Sequence, residues 1–434
     1  MSNKSQNKFS QILSVCKARG FLFPSSEIYG GLNSCWDYGP LGVQLKNNLK
    51  KQWWENMTKR SDVTGLDASI FMHPKVWEAS GHLDGFTDPL SDCRDCKHRF
   101  RLEEGMTTCP NCGSKNITES RDFNLMFKSF MGPLEAESST VYLRPETAQG
   151  IYVNFLNVQQ SMRLKIPFGM AQIGKAFRNE ITPSHSIFRT REFEQMEMQF
   201  FTSKKESARW FDYWREERMQ HLLSLGFKET ELHFKVHEKE ELAHYAQKAE
   251  DIEFDFPWGR RELEGLHNRG DFDLSQHQKF SGKKLQYFCP VENKSYLPYV
   301  IETSIGVDRL FLAILSSAYK EENVNNETRK LFKLSSHIAP VQIAVLPLSK
   351  KSALLEIAES LSSDLQKEWF VEYDSSGSIG KRYRRQDEIG TPFCATIDFE
   401  SCEDNKLTIR YRDSMKQERI SIESLNNFLK DNFK

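Results

Sequence analysis

The chain has 434 residues, of which 38% are hydrophobic and 27% are charged, and its formal net charge is −1. This length suits two or three domains with apolar cores, and the near-zero charge means that any nucleic-acid contact must come from local basic patches. The N-terminus lacks the apolar segment of a secretory signal, and the longest apolar run, residues 310–315, is far too short to span a bilayer, so we expect a cytoplasmic protein with reduced cysteines and no membrane partner.

The first elements that the pattern predicts are a helix and a strand that ends at a proline. In residues 44–57, Leu45, Leu49 and Trp53 recur at four-residue spacing, which is typical of one face of a helix. Residues 65–72 then alternate as in a strand, and Pro74 follows. Because this order of elements is common by chance, it identifies no function by itself.

Four cysteines follow in the pattern C-x2-C, twelve residues, C-x2-C. They are Cys93, Cys96, Cys109 and Cys112. This spacing is typical of a zinc ribbon, and we expect a small zinc-ribbon insertion over residues 91–115. Four thiolates leave no coordination position open, so the zinc would be structural rather than catalytic. The alternative is a surface hairpin with unliganded thiols, whose basic residues at 97–101 either contact phosphate or remain solvated.

Residues 172–201 are predicted to form two strands joined by a loop. In the second strand, alternation places Phe193, Gln195, Glu197 and Gln199 on one face, while methionine and phenylalanine occupy the other. The aromatic ring and the carboxylate of Glu197 are four residues apart, or about 13 Å. That is close to the span from a purine ring to a group bonded beyond its α-phosphate.

The first of these strands carries a guanidinium and a carboxylate toward the same groove. Arg178 and Glu180 are two residues apart and therefore share a face. Taken alone, such a pair is usually an ion pair on a solvated sheet surface. Its combination with the polar face of the second strand is much rarer.

The rest of the chain divides into a further part of this domain and a second, smaller one. Residues 204–250 have the pattern of a mostly helical insertion, and residues 296–303 form a strand that leads into a helix at about 305–319. After a linker at about 321–336, strand and helix patterns alternate to the C-terminus. We therefore predict two domains, residues 1–335 and 336–434, the second of the α/β class.

Several of these segments resemble the signature motifs of the class II aminoacyl-tRNA synthetases. F-R-N-E at 177–180 and R-T-R-E-F at 189–193 resemble motif 2, and the helix, strand and Pro74 resemble motif 1, which builds the dimer interface in that family. Residues 300–309 resemble motif 3, with Ser304 in place of the usual glycine, as in the glycyl enzymes. The resemblance implies an α+β catalytic core, an antiparallel sheet flanked by helices.

The resemblance also implies roles for the groove residues in ATP binding. It assigns Arg178 to the α-phosphate, Glu180 to the adenine edge, Arg189 to the far phosphates and Phe193 to stacking on adenine. Arg309, at a strand-to-helix junction, would be the second catalytic arginine beside Arg178. The full set that it implies for ATP is Arg178, Asn179, Glu180, Phe188, Arg189, Thr190, Arg191, Glu192, Phe193, Glu262, Leu263, Gly306, Val307, Asp308 and Arg309.

Further segments are similar to the homodimeric type of glycyl-tRNA synthetase over nearly the whole chain. They are F-P-S-S-E-I-Y-G-G at 23–31, W-D-Y-G-P-L-G at 36–42, R-P-E-T-A-Q-G at 144–150, E-L-E-G-L-H-N-R at 262–269 and residues 374–392. Three carboxylates that would converge in this fold suit a small ammonium and leave little room for a side chain. The implied glycine site is Arg101, Glu146, Phe193, Glu194, Gln195, Met196, Glu197, Glu302, Thr303, Ser304, Ile305 and Gly306.

The C-terminal segment resembles the anticodon-binding domain of the same synthetases. Lys381, Arg382, Arg384 and Arg385 surround Tyr383, a combination that suits phosphate contact and base stacking. Without the domain context, a solvated helix face explains these residues equally well.

The resemblance implies a ligase that activates glycine with ATP and transfers it to the 3′-terminal ribose of tRNA(Gly), as a homodimer with Mg²⁺ on the ATP and structural Zn²⁺. The alternative is a non-catalytic synthetase-like protein that binds nucleic acid, such as a polymerase accessory subunit, because a fold does not fix a function. Retention of Arg178, Glu180, Phe193 and Arg309 argues against it. A second alternative is a class II enzyme for serine or proline, against which the three carboxylates argue.

Overall fold

The computed structural model describes residues 3–103, 105–133, 135–136, 139–182, 185–238 and 246–433. Its α-helices are α1 Asn3–Ala18, α2 Pro40–Thr58, α3 Pro74–Ala79, α4 His82–Gly85, α5 Ala148–Val153, α6 Phe155–Ser161, α7 Ser207–Ser224, α8 Phe272–Ser281, α9 Val307–Ala318, α10 Ser352–Leu365, α11 Ile379–Ile389, α12 Ser401–Asp404 and α13 Leu425–Asn432. In the described part of the chain, no helix is both long and apolar enough to cross a membrane.

The strands fall into one large sheet, one five-stranded sheet and several small ones. They are β1 Leu22–Pro24, β2 Trp36–Tyr38, β3 Val63–Gly65, β4 Thr87–Asp92, β5 Arg99–Arg101, β6 Arg121–Asn124, β7 Phe127–Phe130, β8 Thr140–Leu143, β9 Phe168–Phe177, β10 Glu192–Thr202, β11 Leu232–Val236, β12 Lys248–Phe256, β13 Gly259–Gly270, β14 Tyr287–Cys289, β15 Lys294–Tyr296, β16 Tyr299–Gly306, β17 Tyr319–Val324, β18 Glu327–Phe332, β19 Ile343–Pro347, β20 Val371–Tyr373, β21 Phe393–Ile397, β22 Lys406–Tyr411 and β23 Gln417–Ser421.

The large sheet has seven strands in the order β11-β12-β13-β16-β10-β9-β3. Its neighbours are antiparallel, except that β3 runs parallel to β9. The alternation predicted for residues 192–202 is confirmed. Met196, Met198 and Phe200 are fully buried in the main core, which also contains Trp53 of α2 and Trp214 of α7. The apolar face of the sheet therefore packs on these helices, and the polar face is free to form a site.

The polar face is covered at one end only. Tyr152, Phe155, Phe201 and Leu274 form a second core there, between the sheet and helices α5, α6 and α8. Toward the other end of the same strands the face stays open as a groove. Helix α9 begins at this open end, directly after β16.

Two predicted elements in the first domain differ from the structure. The strand expected at residues 65–72 is wrong, because only Gly65 of this range lies in β3 and Phe71 forms no more than an isolated bridge. Pro74 does not end a strand but begins α3, where its fixed φ suits the first helical turn. Residues 204–250, predicted to be mostly helical, contain α7 but also β11 and the start of β12. Residues 239–245 of that segment lie outside the described residues. These strands belong to the large sheet, because Leu232, Ile252 and Phe254 extend its core.

The segment predicted as a linker is a β-hairpin in the structure. Strands β17 and β18 pair through Val324 and Glu327, and the two asparagines between them both have positive φ, as a two-residue hairpin turn requires. Arg329 of β18 is fully buried and donates to Asp387 of α11 at 2.8 Å. Arg410 of β22 also contacts Asp387. Buried ion pairs between the hairpin and α11 thus connect the first part of the chain to the C-terminal part, so the segment is not a flexible linker.

The C-terminal part of the described chain contains a five-stranded sheet with helices, an architecture of the α/β class. The sheet order is β20-β19-β21-β22-β23, in which the first three strands are parallel and the last two antiparallel. Strand β23 was not predicted, and a helix at the position of α11 was considered only as the alternative to a basic binding patch. Helix α11 is rich in charged residues, and only one face carries the buried Arg382, Gln386 and Asp387, so it lacks the apolar periodicity on which the sequence prediction depended.

Candidate active site

The open end of the large sheet holds a groove with a cavity of about 200 Å³. Its walls come from β10, β13, β16, the start of α9 and the loop that joins β9 to β10. The lining residues are Glu146, Arg178, Glu180, Ile187, Phe188, Arg189, Thr190, Phe193, Gln195, Glu197, Glu262, Gly265, His267, Glu302, Ser304, Gly306, Asp308 and Arg309.

The register of three strands arranges the floor of the groove in rows. Gly265 of β13 pairs with Ser304 of β16, and Ser304 pairs with Glu197 of β10. In the next row His267 pairs with Glu302 and Glu302 with Gln199. Because paired residues point to the same side of a sheet, residues from distant parts of the sequence converge on one small area.

Among the described residues, no basic side chain forms an ion pair with Glu197, although Arg144 acts on it from a distance. Its two carboxylate oxygens accept hydrogen bonds from the hydroxyls of Thr147, at 2.7 Å, and Ser304, at 3.0 Å. Burial, followed by repulsion from Glu302 and Glu146, raises the pKa of Glu197 to about 8. The pocket therefore holds a carboxyl group whose negative charge is unfavourable until a cation arrives.

Glu302 already has strong partners. Gln199 and Arg269 donate to its Oε2 at 2.8 Å and 3.0 Å, and Nδ1 of His267 lies 3.0 Å from its Oε1. Although burial acts to raise the pKa of Glu302, Arg269 and His267 hold it below its ordinary value. Glu302 is thus a fixed anion of the pocket floor.

Glu146 is supported in a similar way from the other wall. It accepts a hydrogen bond from Gln149 at 2.9 Å, and Nε2 of His82 lies 3.6 Å from its Oε2. Burial acts to raise its pKa, but His82 and Arg269 outweigh that effect and lower it. The structure brings Glu146, Glu197 and Glu302 together in one groove, and Glu197 is the one of the three that forms no ion pair.

The other end of the groove is lined by arginines and aromatic rings. The guanidinium of Arg178 lies over the rings of Phe193, at 5.2 Å, and Phe86, at 5.3 Å, and its Nε donates to the carbonyl of Pro145. These contacts fix the arginine while leaving its terminal nitrogens for an anion. Arg178 and Glu180 were predicted on a strand, but β9 ends at Phe177, so both lie in the loop just beyond it.

Arg309 enters the same end of the groove from the first turn of α9. Its Nη1 forms an ion pair with Glu262 of β13 at 3.0 Å, and its guanidinium lies 4.7 Å above the ring of Phe188. This ion pair, with Arg309 as its largest cause, lowers the pKa of Glu262. The two predicted arginines, Arg178 and Arg309, are therefore brought to one groove from distant parts of the sequence.

Several residues that the resemblance implied point away from the groove, because only alternate residues of a strand face it. Glu194 has its carboxylate on Lys46 and Lys50, each at 3.0 Å. The apolar side chains of this group are buried in the core behind the sheet, and the hydroxyl of Thr303 is buried there too. The residues on this opposite side are Leu263, Glu194, Met196, Thr303, Ile305 and Val307.

Four other implied residues lie beside the groove and do not line it. Arg191 donates to the carbonyls of Glu180 and Asn33, and Glu192 is exposed and pairs with Lys175. The backbone N–H of Asn179 donates to the carbonyl of Leu125. Arg101, expected at the glycine site, pairs with Asp88 at 3.3 Å on the three-stranded sheet of β4, β5 and β6.

Three lining residues, Ile187, Gly265 and His267, were not selected from the sequence, although the last two belong to the segment E-L-E-G-L-H-N-R. Gly265 and His267 follow a register shift between β12 and β13, where Ile252 pairs with Glu264 but Glu253 pairs with Glu262. This bulge reverses the alternation after Glu262, so that odd-numbered residues face the groove from Gly265 onward. Simple alternation from Glu262 would have placed them on the opposite side.

The four predicted cysteines form a compact cluster outside the groove. Their sulfur atoms all lie within 4.8 Å of one another, with 3.6 Å between Cys93 and Cys112 and between Cys96 and Cys109. Four sulfurs around one zinc ion are about 3.8 Å apart when each Zn–S bond is about 2.3 Å. The cluster fits a tetrahedral ion of that size.

The two halves of the cluster have the same backbone geometry. Lys97 and Gly113, each just after the second cysteine of its pair, have positive φ and donate to the carbonyls of Cys93 and Cys109. The amides of these two buried cysteines in turn donate to the residues that follow the turns, His98 and Ser114. Two matched turns that present four thiols to a common centre are the expected architecture of a closed metal site.

The basic residues predicted at 381–385 lie on α11, where one of them is buried and the others line a cleft. Lys381 is exposed, and Lys381, Arg384 and Arg385 line a cleft of about 690 Å³ together with Arg19, which follows α1. Arg382, in contrast, is only 2% exposed, and it donates to the carbonyls of Pro347, Leu348 and Asp374. Its guanidinium is therefore committed to the fold and not available to a phosphate.

Two protein-family models match this chain. The model described as "tRNA synthetase class II core domain (G, H, P, S and T)" matches residues 133–318, and the model described as "Anticodon binding domain" matches residues 342–432. The first range contains all of the groove strands, and the second contains α11.

Curated relatives match over nearly the full length. The glycine–tRNA ligase of Treponema denticola is 53% identical, with 94% of each chain covered, and that of Caldanaerobacter subterraneus is 52% identical, with 98% of each covered. A solved structure of prolyl-tRNA synthetase from Cryptosporidium parvum, in complex with halofuginone and AMPPNP, matches with a TM-score of 0.68. It covers 100% of this chain and 79% of that chain at 14% identity, which supports the fold alone.

The raised pKa of Glu197 predicts that this residue destabilises the empty protein at high pH. In the unfolded chain the Glu197 carboxyl loses its proton at a pH of about 4.5, whereas in the folded protein it keeps the proton up to a pH of about 8. The free energy of unfolding should therefore fall as the pH rises from about 4.5 toward 8. Glu197→Gln removes the ionisation, and the neighbouring hydroxyls can rotate to accept from the amide. We expect it to stabilise the ligand-free protein by roughly 2–4 kcal/mol at pH 8.5 and far less at pH 5.

The measurement is urea unfolding of both proteins at several pH values. Glu229→Gln, at an exposed glutamate far from the groove strands, is the matched control and should show no such pH dependence. A stability difference between wild type and Glu197→Gln that stays constant from pH 5 to 8.5 would contradict the buried charge at this position.

Proposed function

The chain belongs to the class II glycine–tRNA ligases, and we propose that its groove forms glycyl-adenylate from glycine and ATP before the glycine passes to tRNA(Gly). The observation that carries this proposal is the layout of the groove. Arg178, Arg309 and Phe193 line one end, and the carboxylates of Glu197 and Glu302 lie at the other. A nucleotide would bind at the first end and a small ammonium group at the second.

At the glycine end, we propose that the ammonium binds beside Glu197. Glu302 is already paired with Arg269 and His267, and Glu146 with His82, whereas the described hydrogen bonds to Glu197 come from two hydroxyls. The ammonium supplies the missing charge and favours loss of the Glu197 proton. A substrate without a charged amine would leave the group protonated and gain no such interaction.

At the nucleotide end, we propose that Phe193 stacks on the adenine and that Arg178 and Arg309 hold phosphate oxygens, with Arg189 toward the far phosphates. The glycine carboxylate attacks the α-phosphorus, the bond to pyrophosphate breaks, and negative charge spreads over the transferring group. The fixed guanidiniums neutralise that charge where it develops. In the second step the 3′-hydroxyl of the tRNA attacks the glycyl carbonyl, and AMP leaves.

Magnesium fits this reaction as a partner of ATP. In the described residues, the four cysteines are the one group of three or more histidine, cysteine or acidic side chains whose ligand atoms lie close enough to share a metal ion. Magnesium commonly binds through substrate phosphates with one or two carboxylates. It would add positive charge at the phosphates while the arginines orient them.

Replacement of either groove arginine tests the proposed chemistry. Arg178→Ala or Arg309→Ala removes a guanidinium that acts on the transferring group, and we expect a loss of roughly 3–4 kcal/mol of transition-state stabilisation. Glycine-dependent exchange of pyrophosphate into ATP measures the step. Arg209→Ala, at an exposed arginine of α7, is the control and should behave as wild type. Exchange within tenfold of wild type in both groove variants would refute the assignment.

We propose that the cysteine cluster binds one structural zinc ion. Purified under reducing conditions without chelator, the protein should contain one zinc per chain by elemental analysis, and Cys93→Ser or Cys109→Ser should lose it, because these two sulfurs are buried in the cluster. Cys402→Ser, at an exposed cysteine elsewhere, should retain the metal. Wild-type protein without stoichiometric zinc would rule out this site.

We propose that the unit of residues 336–434 binds the anticodon arm through the cleft beside α11. The support is the cluster of Lys381, Arg384 and Arg385 on its wall, since Arg382 is committed to backbone carbonyls. The proposed domains are residues 1–335 and 336–434.

A double variant in this cleft separates tRNA binding from glycine activation. Lys381→Ala with Arg384→Ala should raise the KM for tRNA, and the slope of log affinity against log salt should become shallower by about one for each phosphate that the variant no longer binds. Glycine-dependent exchange should stay unchanged. Lys367→Ala, at an exposed lysine of the same unit, is the control. An unchanged KM for tRNA and an unchanged salt slope would remove the cleft from the proposed interface.

We further propose a homodimer, as the resemblance of the first helix and strand to motif 1 implies. Its support in the structure is the short edge strand β3 and the exposed apolar side chains of Val43 on α2 and Phe71 after β3. Light scattering coupled to gel filtration should give twice the chain mass. A monomer at micromolar concentration would exclude this arrangement. The cytoplasmic location stays a prediction.

A further inference from the structure

His267 lies at the centre of the groove floor although no motif assigns it a role. It is on β13 directly opposite Glu302 of β16, with its Nδ1 3.0 Å from Oε1 of that carboxylate. The side chain of His267 is 19% exposed and that of Glu302 is 5% exposed. The imidazole therefore contacts the pocket and its buried anion at the same time.

The ring of His267 leans over the preceding groove-facing position, Gly265. A Cβ atom added to Gly265 would lie 3.0 Å from Cε1 of His267, closer than ordinary packing allows. Gly265 is in the same row as Ser304 and Glu197. The absence of a side chain at Gly265 thus leaves the space that the ring fills, next to the residues proposed to bind the ammonium.

The charges around the imidazole favour its protonated form. Glu302 faces it from β16, and Asp251, itself paired with His237 at 2.7 Å, acts on it from β12. Arg269 on its own strand acts in the opposite sense, and burial opposes the charge as well. The result is a raised pKa for His267. A cationic ring would help Arg269 to keep Glu302 ionised and fixed.

We propose that His267 is a positioning and specificity residue of the glycine pocket, which holds Glu302 in place and closes the wall above Gly265 against larger amino acids. This inference rests on the proposed function, because it concerns the same pocket. Glycine offers no side chain to grip, so alanine can be rejected only by a rigid wall. The contact of His267 with Glu302 on one side and with the bare backbone of Gly265 on the other gives the wall its rigidity.

The experiment compares His267→Ala and His267→Gln with wild type in amino acid-dependent pyrophosphate exchange. For His267→Ala we expect the KM for glycine to rise about tenfold or more while the KM for ATP stays within about twofold, and the alanine-to-glycine ratio of kcat/KM to rise about fivefold or more. His267→Gln keeps a hydrogen-bond donor toward Glu302, so its KM for glycine should lie between those of wild type and His267→Ala. A general structural defect would not separate the two substrates in this way.

Gly265→Ala tests the same contact from the opposite side and is available if His267→Ala does not fold. The new methyl group pushes the ring from its place, so the KM for glycine should rise with the KM for ATP again nearly constant. Glycine KM and alanine discrimination within about twofold of wild type in the folded variants would overturn the role of His267.

Glu197→Gln in the same assay separates this inference from the proposed function. If Glu197→Gln abolishes glycine activation while the His267 and Gly265 variants behave as wild type, the pocket is correctly placed and only the role of His267 fails. If Glu197→Gln activates glycine normally, the pocket itself is misplaced and both proposals fail. If the variants at Glu197, His267 and Gly265 all lose affinity for glycine, the result supports both the proposed function and the role of His267.

Discussion

The structure depends above all on the burial of three carboxylates in one small pocket. Charges of the same sign in a water-poor site are costly unless each has a partner. Two of the carboxylates have a basic partner, because Glu302 contacts Arg269 and His267, and Glu146 faces His82. Glu197 has hydroxyl donors only, and its pKa rises as a consequence. This imbalance is the basis on which we propose that the pocket binds a small ammonium group.

The large sheet makes this pocket possible because one of its faces is packed and the other is open. Behind the sheet, α2, α7 and α9 bury an apolar surface that holds the strands in register. In front, helices α5, α6 and α8 cover one end and leave the groove at the other. Every lining side chain on β10, β13 and β16 is thereby fixed by packing behind it, which is the preorganisation that charge stabilisation requires. The bulge in β13 then sets which of its residues face the groove.

The hairpin of β17 and β18 gives the molecule its second constraint. It continues directly from α9, the helix that begins with the Arg309 turn, and its Arg329 is buried against Asp387 of α11. Breaking such a pair leaves an uncompensated buried charge, so the orientation of α11 relative to the groove is strongly determined. Arg410 contacts the same carboxylate. The cleft proposed for RNA and the groove proposed for glycine and ATP are therefore fixed relative to each other.

The sequence determined those features that local spacing or alternation encodes. The four cysteines, the alternate faces of β10, the arginines Arg178 and Arg309 and the α/β pattern after residue 336 could all be predicted, because each depends on neighbours along the chain or on a motif. The tertiary structure decided what depends on partners distant in sequence. It buried Arg382 among carbonyls, turned Glu194 toward Lys46 and Lys50, and brought His267 to Glu302 through a bulge that alternation cannot foresee. A side chain's role follows from the atoms that surround it, and pairing between strands, not the order of residues, selects those atoms.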